Sequence, residues 1–203
     1  MRSVTAAVTP KGERRRHALV SAAAELLCEG GFDAVRHRAV ARRAGLPLAS
    51  TTYYFSSLDD LLVHAVEYAG MKATEKLRAR VAVLPRRRRG VEATADVLVD
   101  VLLDDGPPAE TSEELISRYE IYVACARHSW LRDVQRRIRQ QRTALVVDTM
   151  ERCGRIVRGD RLNALMYAID GAVVAALVDD GGNLRVTAKA TLVDVIDVLA
   201  PLR

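Results

Sequence analysis

Two short segments concentrate side chains suited to grip a phosphate backbone. Arg36, His37 and Arg38 open one predicted helix, and Ala49-Ser50-Thr51-Thr52-Tyr53-Tyr54 form the next, just beyond Gly45. Guanidinium groups and phenol hydroxyls donate hydrogen bonds to phosphate oxygens, which sets register and affinity without reading sequence. On that chemistry Arg36, Tyr53, Tyr54 and the basic run Arg14-Arg15-Arg16 are candidate phosphate contacts. Arg38 can do the same or reach a guanine edge with both arms of its fork. Ala49, Ser50 and Thr51 are small enough to let a helix approach thymine methyls and base edges. Packing inside the module is the competing role for Thr51, Tyr53 and above all Phe55; simple solvation competes for Arg42 and Arg43.

These residues need a frame, and the apolar spacing predicts one. A first helix is expected over residues 14–29, with Leu19, Ala22, Ala23, Leu26 and Leu27 on one face and Gly30-Gly31 as its stop. A second runs over 36–44, buried through Val40, Ala41 and Ala44. Gly45-Leu46-Pro47 then breaks the chain, and a stub helix follows to about Tyr54 with Pro47 near its start, where a missing N–H costs little. Helix, glycine break, short helix is the layout of a helix-turn-helix, whose second helix enters the major groove. Any helical hairpin shares that outline.

The flanking residues narrow it. Gly31-Phe32-Asp33-Ala34, Val40-Ala41-Arg42-Arg43-Ala44-Gly45-Leu46, Ser50-Thr51-Thr52-Tyr53-Tyr54-Phe55 and Asp59-Asp60-Leu61-Leu62 occur in that order. Over residues 14–66 this resembles the DNA-binding region of the TetR family of bacterial transcriptional regulators. The resemblance implies a helical body that binds a small effector and dimerises through its last two helices. It further implies a homodimer on a roughly two-fold symmetric operator, repressing until the effector changes the spacing of the reading heads. Three features depart from the family pattern. Arg36 and His37 stand where Ser or Thr usually opens the second helix, so a side-chain cap is lost and a cation gained. Leu58 replaces a lysine ahead of the acidic pair. Thr52 replaces the first aromatic, which moves the tyrosines to 53 and 54.

The fold expected is therefore all-α, about nine helices: a DNA-binding domain over 1–56, and a ligand-binding and dimerisation domain over 57–203. Ser56 or Ser57 can cap the next helix, and Asp59-Asp60 suit the positive end of its dipole. That helix should end near Pro85. The Arg86–Arg89 run with Gly90 makes a charged connector. Further helices are expected at 91–103, 112–126, 130–157, 161–178 and 187–199, with breaks at 104–108, 128–129, 158–160 and 179–183.

In the last two helices apolar residues occupy more than one flank, which places the pair either deep in its own core or against a partner chain. The partner reading assigns Leu162, Leu165, Met166, Ile169, Val173, Leu177, Leu192, Val195, Ile196 and Leu199 to a dimer interface. For an effector, Tyr119, Tyr122, Cys125 and Trp130 are one candidate wall, and Met150, Asn163, Met166, Tyr167 and Asp170 another. Plain core packing is the alternative for each. Asp170, on an otherwise apolar helix, is either an anchor for ligand or a carboxylate hydrogen-bonded at the dimer interface.

Composition agrees with this division. Of 203 residues, 49% are hydrophobic and 28% charged, the balance of a globular chain. Residues 1–55 hold nine basic and four acidic side chains; the remainder holds 22 of each, so the net charge of +5 belongs to the first quarter. Such a concentration suits a polyanion-facing module. No apolar run reaches the roughly 18–20 residues of a bilayer span; the longest, 172–178, stops at Asp179-Asp180. The first eleven residues lack a leader's apolar core, so a cytoplasmic protein with no membrane partner is expected. Three scattered cysteines without a C-x-x-C argue against disulfides and zinc. His17, His37, His64 and His128 are dispersed, and no nucleophile–base set or phosphate loop stands out. Neither enzyme nor cofactor is expected. The expected partners are duplex DNA, a second copy of the chain and an unidentified small effector. The alternative is a helical effector-binding or scaffold protein whose N-terminal module docks a protein.

Overall fold

The computed structural model describes residues 9–103, 112–178 and 183–203. Those residues form nine α-helices: α1 Pro10–Ala34, α2 His37–Arg43, α3 Ala49–Tyr54, α4 Leu58–Val83, α5 Val91–Leu102, α6 Ser112–Arg127, α7 Arg132–Arg152, α8 Gly159–Val178 and α9 Leu184–Leu199. A single 3-10 turn, Ser129–Leu131, precedes α7. The breaks expected at 104–108 and, apart from Asn183, at 179–183 lie outside the described residues, as does the reading of residues 1–8.

Local chemistry accounts for most boundaries. The Thr9 hydroxyl accepts from the Gly12 N–H at 3.2 Å and caps α1. Gly30 and Gly31 leave helical geometry as expected, although three further residues carry α1 to Ala34. Ser57, not Ser56, caps α4: the Asp60 N–H donates to its Oγ at 3.0 Å. The Asp60 carboxylate in turn accepts from the Ser56 N–H at 2.9 Å, a reciprocal cap. Asn183 caps α9, which starts three residues earlier than expected.

One expected helix end fails outright. The helix over 130–157 stops at Arg152, because Gly154 adopts φ +76 and the chain turns there. A Cβ at Gly154 would lie 3.2 Å from the Arg88 Cα, so a side chain is excluded by space as well as by conformation. Arg155, read as a helical residue, is instead wholly buried in the turn.

The chain packs as two compact units. The first holds the described residues up to Met71 together with Glu120–Gln135; the second holds Lys72–Tyr119 and Arg136–Arg203. In the first, Leu19, Ala23 and Leu27 of α1 are buried with Val40 of α2, Phe55, and Leu61 and Ala65 of α4. In the second, Leu98 of α5, Val146 and Met150 of α7, Leu165 and Ile169 of α8 and Leu192 and Ile196 of α9 form one core. Each such buried side chain contributes about 1.5–3 kcal/mol.

Helix α8 is long and apolar enough to cross a membrane by length and composition, which a count of consecutive apolar residues misses. Its buried flank is the core just described. That corrects the dimer assignment: Leu165, Met166, Ile169, Val173, Leu192 and Ile196 are at most 3% exposed and face their own chain's interior. Leu162, Leu177 and Leu199 are half-buried against the same core, and Val195 is half-buried as well. Large apolar side chains at the surface of α8 and α9 are Tyr167, Val174, Val178, Val186 and Val198.

Candidate nucleic-acid interface

The turn between α2 and α3 is built by its backbone. Ala44 N–H donates to Val40 O at 2.9 Å, Leu46 N–H to Ala41 O at 2.9 Å, and Gly45 takes φ +63 between them. Without a Cβ that conformation is unstrained. Ser50 N–H then donates to Pro47 O and Thr51 N–H to Leu48 O, a tight turn that precedes α3, so Pro47 lies two residues ahead of the helix rather than within it.

With six residues, α3 presents a narrow outward row. Ala49, Thr52 and Tyr53 are exposed, Tyr53 to 79%; Ser50 and Tyr54 are half-buried. The Tyr53 and Tyr54 rings meet edge to face at 4.8 Å, which orients the exposed phenol. Thr52 Oγ1 donates to Ala49 O at 3.2 Å. Thr51 does not belong to this row. It is fully buried and its Oγ1 donates to Leu48 O at 2.8 Å, so its candidacy as a base reader is withdrawn in favour of the packing role. Phe55 is 2% exposed and packs the core.

At the start of α2, Arg36 occupies the cap position without a side-chain cap. Its Nη2 donates to Asp33 Oδ1 at 2.9 Å, and its Nη1 to the carbonyls of Phe32 and Val35. The side chain is still 57% exposed and is held beside the helix end. Arg38 is exposed. His37 is half-buried, and its Nδ1 is buried without a hydrogen-bond partner among the described residues.

The basic run at the start of α1 divides. Arg14 and Arg15 are exposed, the former donating through Nε to Pro10 O at 3.3 Å. Arg16 turns inward: its Nη2 lies 2.7 Å from His64 Nε2, and its guanidinium sits 5.2 Å from the Phe55 ring centre. Arg43 is also engaged, at 2.6 Å from Glu29 and 3.4 Å from Glu25. Its hydrogen bonds hold the Glu29 carboxyl below the usual glutamate range.

The expected effector residues fall into different surroundings. Tyr122, Cys125 and Trp130 belong to the first unit; Tyr119, Met150, Asn163, Met166, Tyr167 and Asp170 to the second. Met150 and Met166 are core. Cys125 is buried, its thiol donating to Ile121 O at 3.1 Å, and burial pushes that thiol up. Trp130 stands 5.3 Å from His128, which stacks at 6.2 Å on Phe32. Tyr167 is exposed under the Arg139 guanidinium, 5.0 Å from the ring centre, and Arg139 also donates to Asn163 Oδ1 at 3.4 Å.

A polar cluster gathers around Asp170. Its Oδ1 accepts from Arg142 Nη1 at 2.5 Å and from the Tyr119 hydroxyl at 3.2 Å. Asp170 and Arg142 are each about one-fifth exposed. Burial raises the Tyr119 phenol. Burial works against the charge on Arg142, but Asp170 and Tyr119 outweigh it and keep the guanidinium raised. Burial and the neighbouring Arg142 push Arg118 down to about 10. Asp170 thus finds both partners, Arg142 and Tyr119, within its own unit. Sequence reading missed Arg118 and Arg142, since a surface arginine and a buried one carry the same local signal. Among the described residues no group of three or more His, Cys, Asp or Glu is placed to hold a metal.

Comparison with known proteins bears on the same features. Residues 19–65 match the description "Bacterial regulatory proteins, tetR family", and residues 89–198 match "Tetracyclin repressor-like, C-terminal domain". The HTH-type transcriptional regulator PksA of Bacillus subtilis (strain 168) is 30% identical over 121 residues, 57% of this chain; the match spans about half, 53%, of that relative. Among solved structures, multidrug binding protein EbrR complexed with proflavin is 27% identical, with a TM-score of 0.67, covering 90% of this chain and 99% of that one. A TetR family member from Streptomyces coelicolor A3 is also 27% identical, with a TM-score of 0.62 and 89% and 96% coverage. The matched family is one of regulatory proteins, and PksA is a transcriptional regulator. With both halves matched, and the helix-turn-helix and the helical body in place, the chain belongs to the TetR family of bacterial transcriptional regulators.

Proposed function

We propose that the protein acts in the cytoplasm as a homodimeric repressor that binds a two-fold operator and releases it when a small molecule occupies its body. The observation that carries the DNA-binding reading is the outward row Ala49, Thr52 and Tyr53 on α3, set on a glycine turn in a unit where Arg38 and Arg14 are also exposed. Tyr53, Tyr54, Arg14 and Arg36 contact phosphate; Arg38, Ala49, Ser50 and Thr52 face base edges, with His37 orienting the opening of α2. DNA reading belongs to residues 1–56, and effector binding and pairing to 57–203.

Two copies meet through the flank of α8 and α9 that the core leaves uncovered, with Tyr167, Val174, Val178, Val186 and Val198 as its large apolar side chains. Exposed Gly171 and Ala175 permit close approach there. The effector engages the Asp170–Arg142–Tyr119 cluster in the second unit. Support comes from a relative at 27% identity that was solved with proflavin. Effector and DNA favour different dimer geometries, so each weakens the other reciprocally.

Sequences selected from a random duplex pool supply the probe. In fluorescence anisotropy the full chain should bind them with a log affinity that falls linearly with log salt. A shallow slope, or equal affinity for selected and random duplexes, overturns the reading and favours a protein partner for the module. A ligand that binds tightly yet leaves the operator isotherm unmoved removes induction.

A further inference from the structure

The arginine run between α4 and α5 takes no part in that function, yet the fold holds it firmly. Outside residues 1–55 the chain carries equal numbers of acidic and basic groups, so Arg86-Arg87-Arg88-Arg89 is a local concentration rather than a share of a general excess. The backbone of the run is tied to the end of α7: Arg87 N–H donates to Arg152 O at 3.0 Å and Arg89 N–H to Cys153 O at 3.0 Å. Arg89 folds inward to 5% exposure, and its Nη1 donates to the carbonyls of Pro85, Arg87 and Arg152. Gly154, at positive φ, permits the close approach of Arg88. One arginine and one glycine thereby pin the segment while Arg86, Arg87 and Arg88 stay exposed.

The neighbouring surface continues the same chemistry. Arg203 N–H donates to Gly154 O at 3.0 Å and Ile156 N–H to Pro201 O at 2.9 Å, which brings exposed Arg203 alongside. The nearby carboxylates are largely committed: Asp148 to Arg152 at 3.1 Å and Arg86 at 3.5 Å, Asp197 to buried Arg155 at 2.7 Å. Interleaved with the cations are exposed aliphatic side chains, Val83 at 81%, Ile156 at 39% and Leu202 at 38%. Val83 ends α4, and the carbonyls of Ala82 and of Leu84 just beyond it accept from Arg152. The strip is continuous through these hydrogen bonds within the second unit.

We propose that this strip, formed by the α4–α5 connector, the turn after α7 and the segment after α9, docks an acidic protein segment that carries apolar side chains. Arginine forks match carboxylates bidentately, and a backbone already held in place loses little entropy when it binds. The aliphatic residues decide between the two polyanions available. A phosphodiester backbone offers them nothing, whereas a peptide with leucines among its glutamates covers both kinds of group. A merely solvated arginine loop needs neither a buried anchor nor an exposed valine and leucine beside it.

The test uses the full chain and a fluorescein-labelled 20-residue peptide of Glu and Asp with Leu at every fourth position. A Gln/Asn isostere and a random 20-base-pair duplex serve as comparisons. Anisotropy should show binding of the acidic peptide and none of the isostere. The variant R86Q/R87Q/R88Q should lose at least tenfold, and V83S/L202S several-fold, both with unchanged helical circular dichroism and unchanged operator affinity. Peptide affinity equal in wild type and R86Q/R87Q/R88Q overturns the proposal. So does a duplex affinity that falls in this variant while the peptide's does not, since the surface then serves phosphate.

Discussion

Two sets of arginines, one drawn from each compact unit, do opposite work. In the first, Arg14, Arg15, Arg38 and Arg42 reach solvent, and Arg36 lies across a helix start with more than half its surface open. In the second, Arg155 is wholly buried, donating through Nε to Thr94 Oγ1 at 3.0 Å and through Nη1 to Asp197 at 2.7 Å and Ala200 O at 2.9 Å. Arg89 and Arg142 are likewise drawn into carbonyl and carboxylate partners. One set is available to a partner and the other holds the fold, so a tally of charge describes neither. What separates them is the presence of nonlocal acceptors, since a guanidinium leaves water only where its donors are met.

Variants can break that contrast. The largest effect should come from Leu165→Asp, which puts a charge into the second unit's core and should prevent cooperative folding, costing about 4 kcal/mol or more. The uncovered flank gives the matched control. Val174→Asp should fold normally and sediment as a monomer; an unchanged sedimentation coefficient would remove that face from the proposed dimer. Next is Arg155→Ala, expected to lower urea stability by about 3 kcal/mol through lost bonds and a cavity, with sequence preference on DNA intact.

In the first unit the effects should fall on binding rather than folding. Arg38→Ala should change preference among bases by about 1–3 kcal/mol, whereas Tyr53→Phe should weaken all duplexes alike by about 1 kcal/mol. Equal losses on selected and random DNA for both would end the division between reading and positioning. The smallest effect concerns Glu29. Its carboxyl is held below the usual glutamate range by Arg43, so its contribution is present above that range and is lost as pH falls through and below it. Glu29→Gln should therefore lower thermal stability slightly near neutrality and flatten its acid limb, with variant and wild type converging at low pH.

Packing also draws boundaries that composition does not. A net positive first quarter suggests a module ending near residue 56, yet Leu58–Met71 of α4 and Glu120–Gln135 pack with the helix-turn-helix helices. Leu61, Leu62, Ala65 and Val66 are needed to close a core that α1, α2 and α3 alone leave open. A packing unit therefore recruits the apolar surface it lacks from wherever the chain returns.

The amino-acid sequence by itself determined the order of the helices and the turn at Gly45, because helical periodicity and turn chemistry depend on residues three or four positions apart. It also placed Ala49, Thr52 and Tyr53 on one short helix, where side-chain spacing is a matter of helical period alone. Only the tertiary structure decided that Thr51 turns inward, that the leucines and isoleucines of α8 and α9 face their own chain, and that Asp170 meets Arg142. Those choices turn on contacts between residues far apart in the chain, such as the 51 positions from Tyr119 to Asp170. A hydrogen bond across that interval leaves no trace in local periodicity, since it forms only once the intervening helices have packed.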